Sequence, residues 1–267
     1  MRLLPYLQSL TQAIREAITD SVKDKRWRDV VKKKATDVAW RVDYTAERRA
    51  MDFIAAENVP ARLVSEEAGT IDIGGEPEIV VILDPLDGSL NFTRSIPFCS
   101  VAAAAGPYKP DFKISDVEAG VVKSVFDGET FYAEKGRGAF KNGQQLSVER
   151  FKTTVKPLLS LYVHGVEKTR YPYERLIVGS KVRVLGSIAL EICYIAESGL
   201  DAVLDLRGTL RIVDVAAGKV VLEEAGGTVK LIGEGVEQPV DAKKGLCMVA
   251  AKDEALANKL CATIGFE

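Results

Sequence analysis

The sequence has very little histidine and no paired cysteines. Among its 267 residues, His164 is the single histidine, and the four cysteines form no CxxC pair. A zinc site needs clustered Cys and His ligands, so this pattern argues against one. A histidine general base is equally unexpected. If the chain is an enzyme, its nucleophile must be activated in another way, and a water molecule bound to a metal ion is the obvious candidate.

The chain also lacks an excess of one charge and a long apolar run. Its formal net charge is −2, and 47% of its residues are hydrophobic. This balance argues against a nucleic-acid partner and against an anionic membrane surface. No apolar stretch approaches the roughly 20 residues of a membrane helix. The scattered cysteines lie among apolar neighbours, as buried thiols in a reducing compartment do, so we expect a cytoplasmic protein.

The first half of the chain predicts two helices packed on a mostly antiparallel sheet. Apolar residues at helical spacing begin at Leu3, and a second helix is predicted over residues 44–57 with Asp43 as its N-cap. An Asn-Gly pair at 142–143 predicts a tight hairpin turn. Short apolar runs predict strands at 62–65, 79–83, 101–106, 119–125 and 130–133.

The second half alternates between predicted strands and helices. Strands are predicted at 158–163, 182–185, 202–206 and 248–251, and helices at 188–198, 215–225 and 254–264. Such alternation indicates an α/β arrangement with some parallel pairing. We therefore expect an α+β subdomain at 1–152 and an α/β subdomain at 153–267, with a site between them.

The most informative segment is 84–89, with the sequence DPLDGS. It follows the apolar run 79–83, which is predicted to be a buried strand that Pro85 and Gly88 end abruptly. Asp84 and Asp87 would then lie on a stiff turn beside open backbone. Carboxylates next to free amides suit hard cations and the phosphate that those cations neutralise. The segment points to metal-dependent phosphate chemistry.

Other acids lie where strands or helices are predicted to end. Glu66 and Glu67 follow a predicted strand, whereas Asp214 lies in an apolar setting near the start of a predicted helix. Taken singly, Asp43 and Asp214 are also typical of helix N-caps, and the two glutamates of solvated loop charges. Converging on one cleft, these acids would repel each other unless a cation lay between them.

Competing patterns do not fit. An EF-hand loop that started at Asp84 would need a closing glutamate where the chain has Ser95. No Walker phosphate-binding sequence is present, and the Gly-Arg-Gly segment at 136–138 lacks the context of a dinucleotide fingerprint.

The residues that carry these features resemble a known family. The segment DPLDGSLN at 84–91, the acidic pair at 66–67 and DVAAG at 214–218 are similar to motifs of the inositol monophosphatase superfamily. The likeness extends over nearly the whole chain, and its compact form resembles archaeal-type enzymes related to both inositol monophosphatase and fructose-1,6-bisphosphatase. The resemblance implies an αβαβα layered sandwich and Mg²⁺-dependent phosphomonoesterase activity.

The resemblance also implies roles for particular residues. Two to three Mg²⁺ ions would be held by Glu66, Asp84, the Leu86 carbonyl, Asp87 and Asp214. Ser89, paired with Asp43, would orient the attacking water and help to deprotonate it, with Glu66 nearby.

The expected substrate contacts are less uniform. The amides of Gly88 and Ser89 would bind the phosphate. Arg207 stands where inositol-type relatives carry a carboxylate, which favours a second anionic group on the substrate; alternatively, Asp205 takes the place of that acid. The remaining predicted substrate-binding residues are Tyr162, Arg170, Arg175, Gly186 and Ser187.

Together these features predict a phosphatase for fructose 1,6-bisphosphate, inositol 1-phosphate or both, which assembles as a homodimer or homotetramer. One alternative is a 3′-phosphonucleotide phosphatase. It would want aromatic surfaces for a base, and only 7% of the residues are aromatic. The other alternative is a non-catalytic, metal-binding regulatory protein on the same fold.

Overall fold

A computed structural model describes residues 2–33, 38–149, 156–163, 172–233, 236, 238–241 and 245–266. These residues form seven α-helices and a 3₁₀ turn at Ile114–Asp116. The helices are α1 (Leu3–Ser21), α2 (Arg41–Ala56), α3 (Ser89–Thr93), α4 (Glu174–Gly179), α5 (Ile188–Ala196), α6 (Ile212–Glu224) and α7 (Glu254–Ile264).

The described strands form two large sheets and one small hairpin. The hairpin pairs β1 (Val30–Lys33) with β2 (Val38–Trp40). The larger sheet comprises β3 (Ala61–Ser65), β4 (Gly69–Ile73), β5 (Ile79–Asp87), β6 (Ser100–Pro107), β7 (Ala119–Ser124), β8 (Thr130–Glu134), β9 (Ala139–Lys141) and β10 (Gln144–Gln145). The smaller sheet comprises β11 (Leu158–Tyr162), β12 (Lys181–Arg183), β13 (Ala202–Leu210), β14 (Thr228–Ile232) and β15 (Leu246–Ala251).

The strand order differs between the two sheets. The eight-stranded sheet has the order β10-β9-β8-β7-β6-β5-β3-β4, and only its β3–β5 pair is parallel. The five-stranded sheet has the order β12-β11-β13-β15-β14, with β11 parallel to both of its neighbours. The structure thus confirms a mostly antiparallel first sheet and some parallel pairing in the second.

Three apolar clusters hold these elements in five layers. Ile14 of α1 and Leu83 of β5 belong to the cluster between the first two helices and the larger sheet. Ile82, on the opposite face of β5, packs with Val215 in a cluster that includes α5, α6 and the smaller sheet. Leu204 belongs to the third cluster, on the outer face of the smaller sheet under α4 and α7. The predicted αβαβα sandwich is confirmed.

The predicted start of the second helix and the predicted end of the strand at 79–83 were both wrong. The second helix begins at Arg41, so Asp43 is its third residue and not its N-cap; the Asp43 carboxylate accepts a hydrogen bond from the Trp40 N–H at 2.7 Å. The strand predicted at 79–83 continues to Asp87, with an irregular register between Asp84 and Asp87. A bulge therefore accommodates Pro85, which has no N–H to donate to the ladder.

The sequence patterns did not reveal several short elements. They are β1, β2, β4, β14 and the helices α3 and α4. None of the described helices combines the length and apolar character of a membrane span. The cytoplasmic location and the division at residue 152 stay predictions.

Close backbone contact seats α6 against the larger sheet. A Cβ atom built on Gly120 of β7 would lie 2.6 Å from the Ala217 carbonyl oxygen of α6. Because backbone atoms on both sides cannot easily move, this position requires glycine. The contact fixes the height of α6 above the sheet, and with it the position of Asp214 in the first turn of that helix.

Gly120→Ala should therefore destabilise the protein by about 1–3 kcal/mol, as overpacking of a buried contact typically does. Urea unfolding would measure the change. The control is Gly179→Ala, where the added methyl group meets nothing within 4 Å, so this variant should be neutral or slightly more stable. Equal effects of the two substitutions would contradict the packing argument.

Candidate active site

Two acids meet at one edge of the larger sheet. The parallel register of β3 and β5 pairs Ser65 with Leu83, so the next residues, Glu66 and Asp84, leave the pair at the same edge. Asp84 is only 2% exposed, and one of its oxygens accepts a hydrogen bond from the Leu86 N–H at 3.0 Å.

The Asp87 carboxylate is held by the N-terminal end of α5. The Ser187 hydroxyl donates to its Oδ2 at 2.5 Å and the Ala189 N–H at 2.8 Å, while the Ile188 N–H donates to its Oδ1 at 3.3 Å. Burial nevertheless raises the pKa of Asp87 to about 7, in spite of these donors and with a contribution from Asp214. The contact joins a strand of the larger sheet to a helix about 100 residues away in the chain.

Asp214 is bound by Arg211. As the third residue of α6, it accepts the Arg211 backbone N–H at 2.8 Å, so it is not the N-cap. The Arg211 guanidinium donates to Asp214 Oδ1 at 2.8 Å and Oδ2 at 3.2 Å, and its remaining nitrogen contacts Glu66 Oε1. Sequence reasoning missed Arg211, although its spacing of three residues from Asp214 is typical of an ion pair on one helix.

The four acids lie close enough together to shift the pKa of Asp84. Burial, followed by repulsion from Glu66, Asp87 and Asp214, raises the pKa of Asp84 well above its usual range, whereas Arg211 opposes the shift. Donors that are all carboxylate or carbonyl oxygens fit Mg²⁺. Among the described residues, no group of three or more Asp, Glu, His or Cys side chains is arranged so that it could hold a metal ion. The Arg211 guanidinium forms ion pairs with two of the four acids, Glu66 and Asp214.

The backbone after Asp87 turns sharply into α3. Gly88 has a left-handed conformation, with φ of 85°, and a Cβ atom there would lie 2.9 Å from the Gly186 carbonyl oxygen. Ser89 follows as the half-buried first residue of α3. Successive amides in this conformation form a concave nest that suits an anion. The pairing of Ser89 with Asp43 stays a prediction.

The loop before α5 packs against the end of α3. The Asn91 side-chain amide donates to the carbonyls of Phe98 and Leu185, each at 2.7 Å. A Cβ atom on Gly186 would lie 2.7 Å from the same Asn91 nitrogen. Ser187 is fully buried and its hydroxyl holds the Asp87 carboxylate. Gly186 allows the Asn91 side chain to approach closely. Direct substrate contact by either residue stays a prediction.

Arg207 and Asp205, the two candidates for the position of the carboxylate in inositol-type relatives, are ion-paired with each other. The guanidinium makes a double ion pair with the fully buried Asp205, the shortest distance being 2.6 Å, and lies 4.9 Å from the centre of the Tyr162 ring. The Tyr162 hydroxyl accepts the Gly186 N–H at 2.9 Å. Arg175 is exposed on α4, and Arg170 lies outside the described residues.

Relatives of known sequence were found over most of the chain. It is 34% identical over 230 residues to the "Fructose-1,6-bisphosphatase/inositol-1-monophosphatase" of Methanothermobacter thermautotrophicus, a match that covers 84% of this chain and 82% of the relative. It is 35% identical to the "Bifunctional NADP phosphatase/NAD kinase" of Methanococcus maripaludis, but that match spans 84% of this chain and only 42% of the relative.

Solved structures agree. A Pyrococcus horikoshii protein, described as having similarities to inositol-1 monophosphatase, superimposes with a TM-score of 0.79 at 30% identity. The superposition covers 95% of this chain and 94% of that protein. The sequence profile described as "Inositol monophosphatase family" matches residues 3–266. The chain therefore belongs to the inositol monophosphatase family, a family of metal-dependent phosphatases.

Proposed function

We propose that the chain is a Mg²⁺-dependent phosphomonoesterase that hydrolyses fructose 1,6-bisphosphate, inositol 1-phosphate or both. The observation that carries this proposal is the group of four interacting acids at one edge of the larger sheet. Burial, followed by repulsion from the other three acids, raises the pKa of Asp84 there. Relatives named for both activities support the choice of substrates. The protein would act in the cytoplasm as a homodimer or homotetramer.

The proposed ligands come from both halves of the chain. Glu66, Asp84, Asp87 and the Leu86 carbonyl lie in the proposed subdomain 1–152, and Asp214 lies in the proposed subdomain 153–267. They would hold two to three Mg²⁺ ions. When bound, these ions lower the pKa of a water molecule and neutralise the charge that develops on the leaving oxygen.

The chain's own groups would arrange the reaction around this centre. The amides of Gly88 and Ser89 donate hydrogen bonds to the phosphate oxygens, which fixes the phosphorus atom for in-line attack. The Ser89 hydroxyl orients the attacking water, and Asp43, assisted by Glu66, accepts its proton. Ser187 holds the Asp87 carboxylate in place.

Arg207 would set the preference between substrates. Its guanidinium is anchored by Asp205 and Tyr162, yet its side chain is 22% exposed. An anchored, partly exposed guanidinium can bind an anion without a large loss of side-chain entropy. Arg207 would bind the second phosphate of fructose 1,6-bisphosphate, a group that inositol 1-phosphate lacks. Arg170 and Arg175 stay proposed as additional contacts.

Asp84→Asn should reduce phosphate release from both substrates by more than about a hundredfold, since loss of a ligand costs at least as much as loss of its supporting groups. The substitution keeps an acceptor for the Leu86 N–H and removes one negative charge. Release of inorganic phosphate would be measured with saturating Mg²⁺ and with EDTA.

The control for this variant is Asp72→Asn, which removes an aspartate that pairs with Arg62 on the neighbouring strands β3 and β4. It should leave the rate unchanged. Circular dichroism would verify that each variant is folded. A folded Asp84→Asn protein with the wild-type rate, or release that persists in EDTA, would contradict the proposal.

Arg207→Gln should lower kcat/KM for fructose 1,6-bisphosphate about tenfold or more, the usual cost of losing a hydrogen bond to a charged group. Activity on inositol 1-phosphate should fall much less. The matched control is Arg62→Gln, since Arg62 also makes a double ion pair, with Asp72, and lies 4.9 Å from the ring centre of Tyr108. An unchanged ratio of the two activities in Arg207→Gln would refute the assignment.

A further inference from the structure

The Arg211 guanidinium lies on carboxylate oxygens that the proposed function assigns to a cation. It contacts both oxygens of Asp214 and one oxygen of Glu66. The side chains involved are largely buried, with 28% of Arg211, 15% of Glu66 and 9% of Asp214 exposed. Arg211 therefore contacts the proposed ligands directly, whereas a surface charge would act on them only from a distance.

A guanidinium and a metal ion cannot use the same oxygen lone pairs at once. A carboxylate has two oxygens with a limited number of acceptor positions, and a double contact from arginine takes those on the inner edge. Two positive groups this close would also repel each other in a setting of low dielectric. Each therefore binds at the expense of the other.

The contacts of Asp214 allow such an exchange without disturbing the helix. The Arg211 backbone N–H donates to Asp214 at 2.8 Å, independently of the side chain. Movement of the guanidinium would leave this bond in place, so Asp214 keeps its position in the first turn of α6. The two functions of Arg211, backbone anchor and side-chain cation, are separable.

Arg207 provides a useful contrast four residues earlier in the chain. Its guanidinium is also partly buried and doubly ion-paired, but its partner is Asp205, which is not a proposed ligand. Arg207 thus lies near the site without contacting a proposed ligand oxygen, whereas Arg211 contacts such oxygens directly.

We propose that Arg211 is an internal counter-cation, which competes with Mg²⁺ for Glu66 and Asp214. It stabilises the acidic site when Mg²⁺ is scarce and lowers the affinity of the site for Mg²⁺. The inference rests on the proposed function, because it uses the ligand assignment made there. It adds a residue that sets how tightly the cation is held.

Titration calorimetry with Mg²⁺ alone, in the absence of substrate, tests the competition. Arg211→Gln should bind Mg²⁺ on the order of tenfold more tightly than the wild type. This change lies within the usual range by which one bound group alters the affinity for another. Arg207→Gln should give a much smaller change, because it removes a nearby positive charge without freeing a ligand oxygen. An unchanged or weaker affinity in Arg211→Gln would overturn the proposal.

Thermal unfolding supplies a second readout. In EDTA, Arg211→Gln should melt at least about 5 °C below the wild type, because it leaves buried carboxylates without their counter-charge. Added Mg²⁺ should raise its melting temperature more than that of the wild type, since tighter binding stabilises the folded state more. Equal melting temperatures in EDTA would also count against the proposal.

Asp84→Asn separates this inference from the proposed function. If Asp84→Asn binds Mg²⁺ as the wild type does, the ligand assignment itself is wrong. If Asp84→Asn loses binding while Arg211→Gln has wild-type affinity, the site stands and the competition fails. Should Arg211→Gln not fold, Arg211→Lys replaces it: lysine cannot make the forked contacts, so tighter binding is again expected, and unchanged or weaker binding would overturn the proposal.

Discussion

The structure depends on keeping several acids together in a place where they repel each other. Asp84 is almost completely buried, and Glu66, Asp87 and Asp214 all disfavour its ionised form. Such an arrangement costs free energy unless positive charge is supplied. Arg211 supplies part of it through its contacts with Glu66 and Asp214. A site of this kind has a standing affinity for hard cations, which is what a metal-dependent phosphatase requires.

The layered fold brings these acids together from distant parts of the chain. The parallel β3–β5 pair delivers Glu66 and Asp84 to one edge, and the bulge around Pro85 carries the strand on to Asp87. The N-terminal end of α5 then binds Asp87, while the close contact at Gly120 seats α6 and its Asp214. Helices from the middle layer thus complete a site that begins on the larger sheet.

Apolar periodicity was sufficient to predict most of the longer helices and strands, and the DPLDGS segment pointed to the acidic site, because both are local signals; the layered arrangement followed only from the family resemblance. It could not predict the contacts that give several residues their roles. Asp43 and Asp214 lie at the third position of their helices because each accepts the N–H of the residue before the helix. The burial of Ser187 on Asp87 depends on tertiary packing, which no local pattern records. The spacing of Arg211 from Asp214 allows an ion pair, but its contact with Glu66 joins residues far apart in the chain and has no local signal.

The most direct test of the account is an anomalous diffraction map of crystals soaked in Mn²⁺, used as a probe for the Mg²⁺ site. The account predicts anomalous density bounded by the carboxylates of Glu66, Asp84 and Asp214, with the Arg211 guanidinium displaced from Asp214. Density at another surface, or none beside Asp84, would contradict the central claim that these acids form the cation site.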